Sequence, residues 1–338
     1  MKKDELKEYI NRDIESLRAM NFSENYIKSM TENTSKWAAI GLLGGIEDTH
    51  VGRTIATLLE NQRLFNEKDD DSGPQWKRIS IPLMRRVFAE SFVGYKLISV
   101  QAMRSSQENL YLSNFEGRTI PMISEANSRI IARWNPPPHG DHAFSLDAEA
   151  EKLAEFANEI QAEFSKEIIR DLTLNAGKTA KYEYKDEDHL FSLIEGMSAY
   201  IGAKCFNREA TWIVASPAVV KLLEKFVEPV ENLEVEDQRE GISYIGTIAK
   251  KWRLYEDCSS SRGSILMGLK DNRNHYFSGY IFAPYLPASL MPTNEKQSQV
   301  IARYGKRLLN PGFYGSIQIE NLPDPTPLKE SDKDESEE

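Results

Sequence analysis

Apolar residues along the chain recur at spacings that change from one region to the next. Near the N-terminus Leu6, Ile10, Ile14 and Leu17 step by three or four residues, and Ile55, Leu58 and Leu59 lie in a second stretch of the same kind. Residues 1–72 therefore predict short amphipathic helices, separated by Gly41-Leu-Leu-Gly44-Gly45. The run Glu67 to Pro74, acidic and ending in Gly and Pro, predicts a break and a boundary near residue 73. Ile79 to Val100 is densely apolar. From Gln101 to Phe144 the chain is polar and aperiodic, with strand-like pieces at Asn109–Ser113 and Arg129–Trp134 and three prolines, Pro136 to Pro138, near its end. Such a length predicts a projecting hairpin. The strongest stripe comes next: Leu146, Ala150, Leu153, Ala157, Ile160, Phe164, Ile168 and Leu172 give one long helix, with Ser145 placed to cap it and Gly177 to stop it. Its other face (Glu149, Lys152, Glu155, Glu159, Glu163, Lys166, Arg170) is charged and reads as a solvent side.

Leu190, Leu193, Ile194, Met197 and Ile201 predict a further helix, Thr211–Ala215 a strand, and Ser216-Pro217 a cap and first helical residue ahead of Val219–Phe226. Strand signals then dominate, at Tyr244–Ile248, Trp252–Tyr255, Ser264–Leu269, Tyr280–Pro284 and Val300–Leu308. The class is α+β, without tandem repeats.

Composition narrows the function. With 42 Lys and Arg against 52 Asp and Glu, the net charge of −10 disfavours a protein that grips nucleic-acid phosphates. Half of that charge lies beyond Pro323, where Asp324, Glu330, Asp332, Asp334, Glu335, Glu337 and Glu338 face only Lys329 and Lys333; such a tail is expected to be disordered and solvated. Two cysteines, Cys205 and Cys258, are too few for a disulfide scaffold or a four-thiolate site, and point to a reducing compartment. With no apolar run of membrane length and a charged N-terminus, the expectation is a cytoplasmic protein without a membrane span.

Candidate chemistry is sparse. His139, Asp141 and His142 cluster and could hold zinc or act in acid-base work, but their spacing matches no standard site. The Gly41–Gly45 segment lacks the residues of a phosphate or dinucleotide loop, and no G-x-S-x-G occurs. Ser259 to Ser261 beside Cys258 reads as a strand-connecting loop. The basic pairs Lys77-Arg78, Arg85-Arg86 and Lys250-Lys251 lie among aromatics, and pairing with acids of a neighbouring subunit suits them better than nucleic acid. No catalytic residue, metal or cofactor is assigned; a metal-dependent enzyme built on His139, Asp141 and His142 is the weaker alternative.

Several ordered blocks resemble the major capsid proteins of T-even-like tailed phages (myoviruses). They are Ile81-Pro-Leu-Met-Arg-Arg-Val-Phe88 followed by Val100-Gln-Ala-Met103; Glu163-Phe-Ser-Lys-Glu-Ile-Ile-Arg170; Trp212-Ile-Val-Ala-Ser-Pro-Ala-Val-Val220; and Gly279-Tyr-Ile-Phe-Ala-Pro-Tyr-Leu-Pro287 with Arg303-Tyr-Gly305 and Asn310-Pro311. The resemblance covers about residues 79–319 and implies a Hong Kong 97-type capsid fold. Residues 1–72 would be an N-terminal arm, removed in part if a maturation protease cuts after Glu60 in Leu58-Leu-Glu60. Residues 73–103, 145–180 and 286–319 would form the peripheral domain around a long spine helix, 104–144 the extended loop, 181–285 the axial domain, and 320–338 the acidic tail.

The function implied is a shell subunit that self-assembles into hexamers and pentamers of an icosahedral head enclosing the genome. Assembly would take place in the host cytoplasm and place the protein in the virion. Partners would be other copies of the chain, a scaffold protein, portal or vertex proteins, a maturation protease and decoration proteins. A cellular nanocompartment shell of the encapsulin type is the alternative. Candidate intersubunit contacts are the apolar loop residues Leu110, Tyr111, Phe115, Ile120, Met122, Ile130, Ile131 and Trp134.

Overall fold

A computed structural model describes residues 3–68, 75–114, 116, 118–134, 146–228, 241–271, 273–294 and 297–323. Three helices open the chain: α1 (Lys3–Ala19), α2 (Glu24–Ala39) and α3 (Thr49–Lys68). Acidic Asp4 and Glu5 sit in the first turn of α1, where the helix dipole favours them, and the Ser23 hydroxyl accepts the Tyr26 N–H to start α2. Asp48 does the same for α3, its carboxylate accepting the N–H groups of His50 (2.8 Å) and Val51 (3.3 Å). The apolar sides of α2 and α3, with Trp37, Ala38, Val51, Ile55, Leu58 and Leu59 buried, face the core.

Next come α4 (Gln75–Val87), the single turn α5 (Gly94–Leu97) and β1 (Ser99–Val100). Strands β2 (Gln107–Ser113) and β3 (Thr119–Glu125) form an antiparallel hairpin, and β4 (Asn127–Trp134) leaves it to join a different sheet. The predicted long helix is α6 (Leu146–Leu174), 29 residues and so roughly 43 Å. It ends before Gly177, whose N–H is held by the carbonyls of Pro311 and Tyr314; a Cβ there would lie 2.7 Å from the Pro311 oxygen, so only glycine fits.

The second half contains β5 (Lys178–Glu183), α7 (Glu187–Lys204), β6 (Trp212–Ala215), α8 (Pro217–Leu223), β7 (Val227–Glu228), β8 (Ile242–Ile248), β9 (Trp252–Asp257), β10 (Ser264–Gly268), β11 (Tyr280–Asn294), β12 (Gln297–Leu308) and β13 (Tyr314–Glu320). A four-stranded sheet has the order β1-β11-β12-β4, and a seven-stranded sheet the order β5-β13-β10-β6-β9-β8-β7.

One apolar core joins the two sheets. On one side Phe164 of α6 lies against Phe282 of β11 (5.2 Å between ring centroids), Tyr304 of β12 (5.5 Å) and Phe88 (6.0 Å). On the other, α7 buries Leu190, Ile194, Met197 and Ile201 with Trp212, Trp252 and Ile265 of the seven-stranded sheet. The helix stripes and most strands lie where the periodicity predicts them. The sheets divide the chain differently from the expected segments, however. β11 starts at Tyr280, inside 181–285, yet pairs in the four-stranded sheet. Within 286–319 the chain splits, because β12 follows β11 while most of β13 inserts between β10 and β5. Glu320 ends β13 rather than starting a tail, and 324–338 lies outside the described residues. Strand pairing runs across the expected segments, and pairing partners far apart in sequence leave no mark on local composition.

The α6 contact is open to a direct test. Phe164 is fully buried among three rings, so Phe164→Ala should cost about 3–5 kcal/mol through lost burial and the cavity left behind. Urea denaturation of the variant would read this as a lowered midpoint with an unchanged slope.

Candidate assembly surface and the buried charge cluster behind it

The β2–β3 hairpin lies on the chain's own N-terminal helices and against β12. Gln101 clamps its first strand by donating through Nε2 to Tyr111 O (2.6 Å) and accepting Tyr111 N–H at Oε1 (2.9 Å). Arg104 pairs with Glu108 and reaches the Ser29 hydroxyl on α2, while Thr119 donates to Met20 O (2.8 Å). Tyr111 stands edge-on to Phe22 (4.9 Å) and Tyr26 (4.8 Å), at and just beyond the turn between α1 and α2, with Tyr276 beside Phe22 (5.3 Å). Where the hairpin meets β12 the strand carries Gly305; a Cβ there would come within 2.5 Å of Ser124 Oγ and 3.0 Å of Glu125 O. Arg307 on the same strand donates to Ile123 O (3.0 Å).

This packing sorts the predicted contact residues. Leu110 (3% exposed) and Ile131 (9%) are consumed inside the subunit, and Tyr111 and Met122 are half-buried. Ile120 (44%) and Ile130 (55%) remain exposed, joined by Ile123 (64%), which is not among the residues predicted from sequence. Phe115 and the side chain of Trp134 lie outside the described residues, as do His139, Asp141 and His142. Ile120 and Ile123 belong to opposite faces of β3, so the hairpin offers apolar surface on both sides and its own subunit covers only part of it.

Behind the hairpin is a cluster of buried charge that joins α1, α3 and the loop between β10 and β11. Arg53 and Asp13 form an ion pair that is almost wholly out of water. Arg53 also donates to the Tyr276 hydroxyl (3.3 Å) and, through Nη2, to Nδ1 of His50 (3.1 Å). A guanidinium can only donate, so Nδ1 is the acceptor and Nε2 carries the proton, which it gives to Val100 O (2.7 Å). His50 stacks on His275 at 4.2 Å, and His275 reaches Asp48 at 3.5 Å.

Burial, together with neighbouring His275 and Arg53, holds His50 well below the ordinary histidine value. His275 is pushed down to about 4, mainly by burial, although Asp48 opposes this. Burial likewise lowers Lys270 to about 8. Burial raises the Asp13 carboxyl, with Arg53 pulling the other way.

The candidate cleavage point is also placed. Glu60 lies within α3, its carboxylate accepting Lys36 Nζ (2.6 Å), Trp37 Nε1 (3.2 Å) and Arg63 (2.6 Å), and these cations outweigh burial to hold it at about 2. The next residue, Asn61, is buried and donates to Met103 O and Tyr285 O. Among the described residues no group of His, Cys, Asp and Glu is arranged to hold a metal, and no helix is long and apolar enough to cross a membrane.

The family model "Major capsid protein Gp23" matches residues 141–324, more than half of the chain. The chain belongs to the Gp23 major capsid protein family. A Gp23-family chain is a phage capsid shell protein. A sequence search of curated proteins finds no match. Among solved structures, similarity extends to the virus-like particle from Pyrococcus furiosus (10% identity, TM-score 0.42, covering 72% of this chain and 100% of that one). It extends also to the SrpI encapsulin of Synechococcus elongatus (12%, 0.41, 68% and 87%) and to a chain of Mycobacterium phage Patience (10%, 0.40, 73% and 89%).

Two predictions concern the cluster in this Gp23-family chain. Arg53→Met strands the Asp13 carboxylate in the core and should cost about 3–5 kcal/mol in urea denaturation, whereas breaking an exposed pair such as Arg18–Glu24 should leave the midpoint nearly unchanged. The histidines set a pH dependence. Their folded-state affinity for protons is depressed, so the unfolded chain takes up protons first. The stability they contribute is complete above about 6.5 and falls as pH drops toward 4, by on the order of 2 kcal/mol at pH 5 from His275 alone. Comparing urea midpoints at pH 7 and pH 5 for the natural chain and His275→Asn should show this part of the slope vanish in the variant.

Proposed function

We propose that the chain assembles through heterologous contacts into hexamers and pentamers of an icosahedral head shell that encloses the phage genome. In this reading it is a structural subunit of the virion with no catalytic role. It is assembled in the host cytoplasm with a scaffold protein and portal or vertex proteins, and further partners are a maturation protease and decoration proteins. The four-stranded sheet with α4 and α6 serves as the peripheral unit of a Hong Kong 97-type subunit. The seven-stranded sheet with α7 and α8 serves as its axial unit, the β2–β3 hairpin as the extended loop, and α1–α3 as the N-terminal arm. Processing after Glu60 then requires α3 to unwind, since the bond lies inside the helix.

The observation that carries this reading is the family match, and the uncovered isoleucines of the hairpin and of β4 agree with it. Many modest contacts per subunit, each of a few kcal/mol, make a closed shell persistent through multivalency even when one contact is weak. The acidic balance of the chain suits a wall around DNA, because it limits binding to phosphates.

The test is electron microscopy of purified protein beside Ile123→Asp and Ile130→Asp. Both positions are more than half exposed, so each variant should keep its thermal midpoint within about 2 °C, in line with the small cost of surface changes. Shells should form with the natural chain and fall at least ten-fold with the variants. Normal shells from Ile123→Asp would remove the hairpin from the interface, normal shells from Ile130→Asp would remove β4, and a small discrete oligomer from the natural chain would overturn the shell reading.

A further inference from the structure

At one end of the seven-stranded sheet a surface groove of about 800 Å³ runs between α8 and the loop joining β9 to β10. Its apolar lining comes from Pro217, Ala218, Leu222 and Pro323, and its cations are Lys221, Lys225 and Arg262. Glu187 and Glu224 also line it, and Lys225 already meets Glu187 (3.1 Å) and Asp188 (3.0 Å). The chain's own course leads into this groove. Beyond β13, Asn321 takes a left-handed conformation (φ 57°), a turn that asparagine tolerates, and Leu322 and Pro323 come back toward α8. Arg262 fixes them there by donating through Nη2 to Leu322 O (3.3 Å) and Pro323 O (2.7 Å).

The segment beyond Pro323 matches the chemistry of this surface. Its sequence is Asp324-Pro-Thr-Pro-Leu328, so prolines stand at 323, 325 and 327. Alternate prolines fix φ and push the residues before them into extended backbone, which favours a polyproline II strip of about 3.1 Å per residue, or roughly 15 Å for these five. Such a strip is ordered before it binds and presents apolar rings to an apolar floor at low entropic cost. Residues 329–338, further on, carry six acids and two lysines, which suit Lys221 and, in competition with Glu187 and Asp188, Lys225.

We propose that this groove is an internal docking site and that residues 324–328 of the same subunit lie in it as a proline-spaced strap, with the acids beyond them meeting Lys221 and Lys225. The strap does not depend on the shell reading. It replaces the expectation of a wholly solvated tail, which rests on composition alone.

Disulfide trapping in the full chain tests this. Leu222→Cys on the groove floor and Leu328→Cys at the end of the strap are introduced together with Cys258→Ser, which removes the exposed native thiol and leaves only buried Cys205. Under mild oxidant an intrachain disulfide should form, resolved from the open chain on a non-reducing gel, since a bridge needs the two Cβ atoms within about 4.5 Å. Tethering alone would also allow some closure, so the same pair is measured with Lys221→Glu/Lys225→Glu and with Pro325→Ser/Pro327→Ser. Docking predicts that each background slows trapping at least five-fold and that 1 M NaCl slows it as well. Equal rates in all three backgrounds, no trapping at all, or a bridge formed between two chains would each overturn the proposal.

Discussion

The contact on which the rest of the subunit depends is the seat of α6. Phe164 enters a box of rings from α4's end, β11 and β12, and Glu167 and Asp171, a short way along the same helix, tie it to those strands. Glu167 accepts the Tyr304 hydroxyl (2.5 Å) and Lys306 (2.7 Å), and Asp171 accepts the Tyr280 hydroxyl (2.8 Å) and Lys306 (2.6 Å). Arg129 of β4 pairs with Glu167 as well. Four segments that are distant in sequence thus converge on one face of one helix. Aromatic burial supplies the affinity there, and charge-assisted hydrogen bonds fix the rotation of the helix about its axis.

A second tie, of a different kind, fastens the N-terminal helices. Arg53, Asp13, His50 and Tyr276 bring α1, α3 and the β10–β11 loop together through a few polar groups that are costly to bury and more costly to leave unpaired. Apolar packing between α3 and the rest would allow small slips. A guanidinium with three fixed acceptors does not. The hairpin rests on the turn between α1 and α2, so its position is set by this cluster.

How much of this is legible in the sequence depends on the range of each interaction. The α6 stripe from Leu153 to Leu172, the stop at Gly177 and the Ser216-Pro217 start of α8 are local signals, and they stand in the structure where the sequence places them. Helix α2 lies inside the region read as helical, yet its own stripe escapes detection because Ser, Thr, Asn and Glu interrupt it, although Ile27, Met30 and Trp37 are all buried. β3 escapes it because Pro121 and the run Met122-Ile123 blur its alternation. The Arg53–Asp13 pair spans 40 residues and the Glu167–Lys306 pair 139, and neither partner differs locally from a surface charge. Glu167 lies next to a face that reads as solvent-directed, and only the arrival of β12 shows otherwise. The exposed isoleucines obey the same logic, since what covers Leu110 and leaves Ile123 bare is tertiary.

The order of strands in the seven-stranded sheet sets a clock on folding. β13, made near the end of the described chain, fills the place between β5 and β10 and pairs with both. Until it arrives β5 has no partner and β10 has one bare edge, with Ile265, Leu266 and Met267 beside unsatisfied backbone groups. At ordinary synthesis rates the interval between making β10 and making β13 is on the order of 3–10 seconds. During that time each nascent chain carries an edge able to pair with the next one, and an abundantly synthesised protein multiplies such encounters. Closing the sheet late therefore leaves each unfinished chain, for that interval, with an apolar strand edge that only its own last strand is shaped to cover.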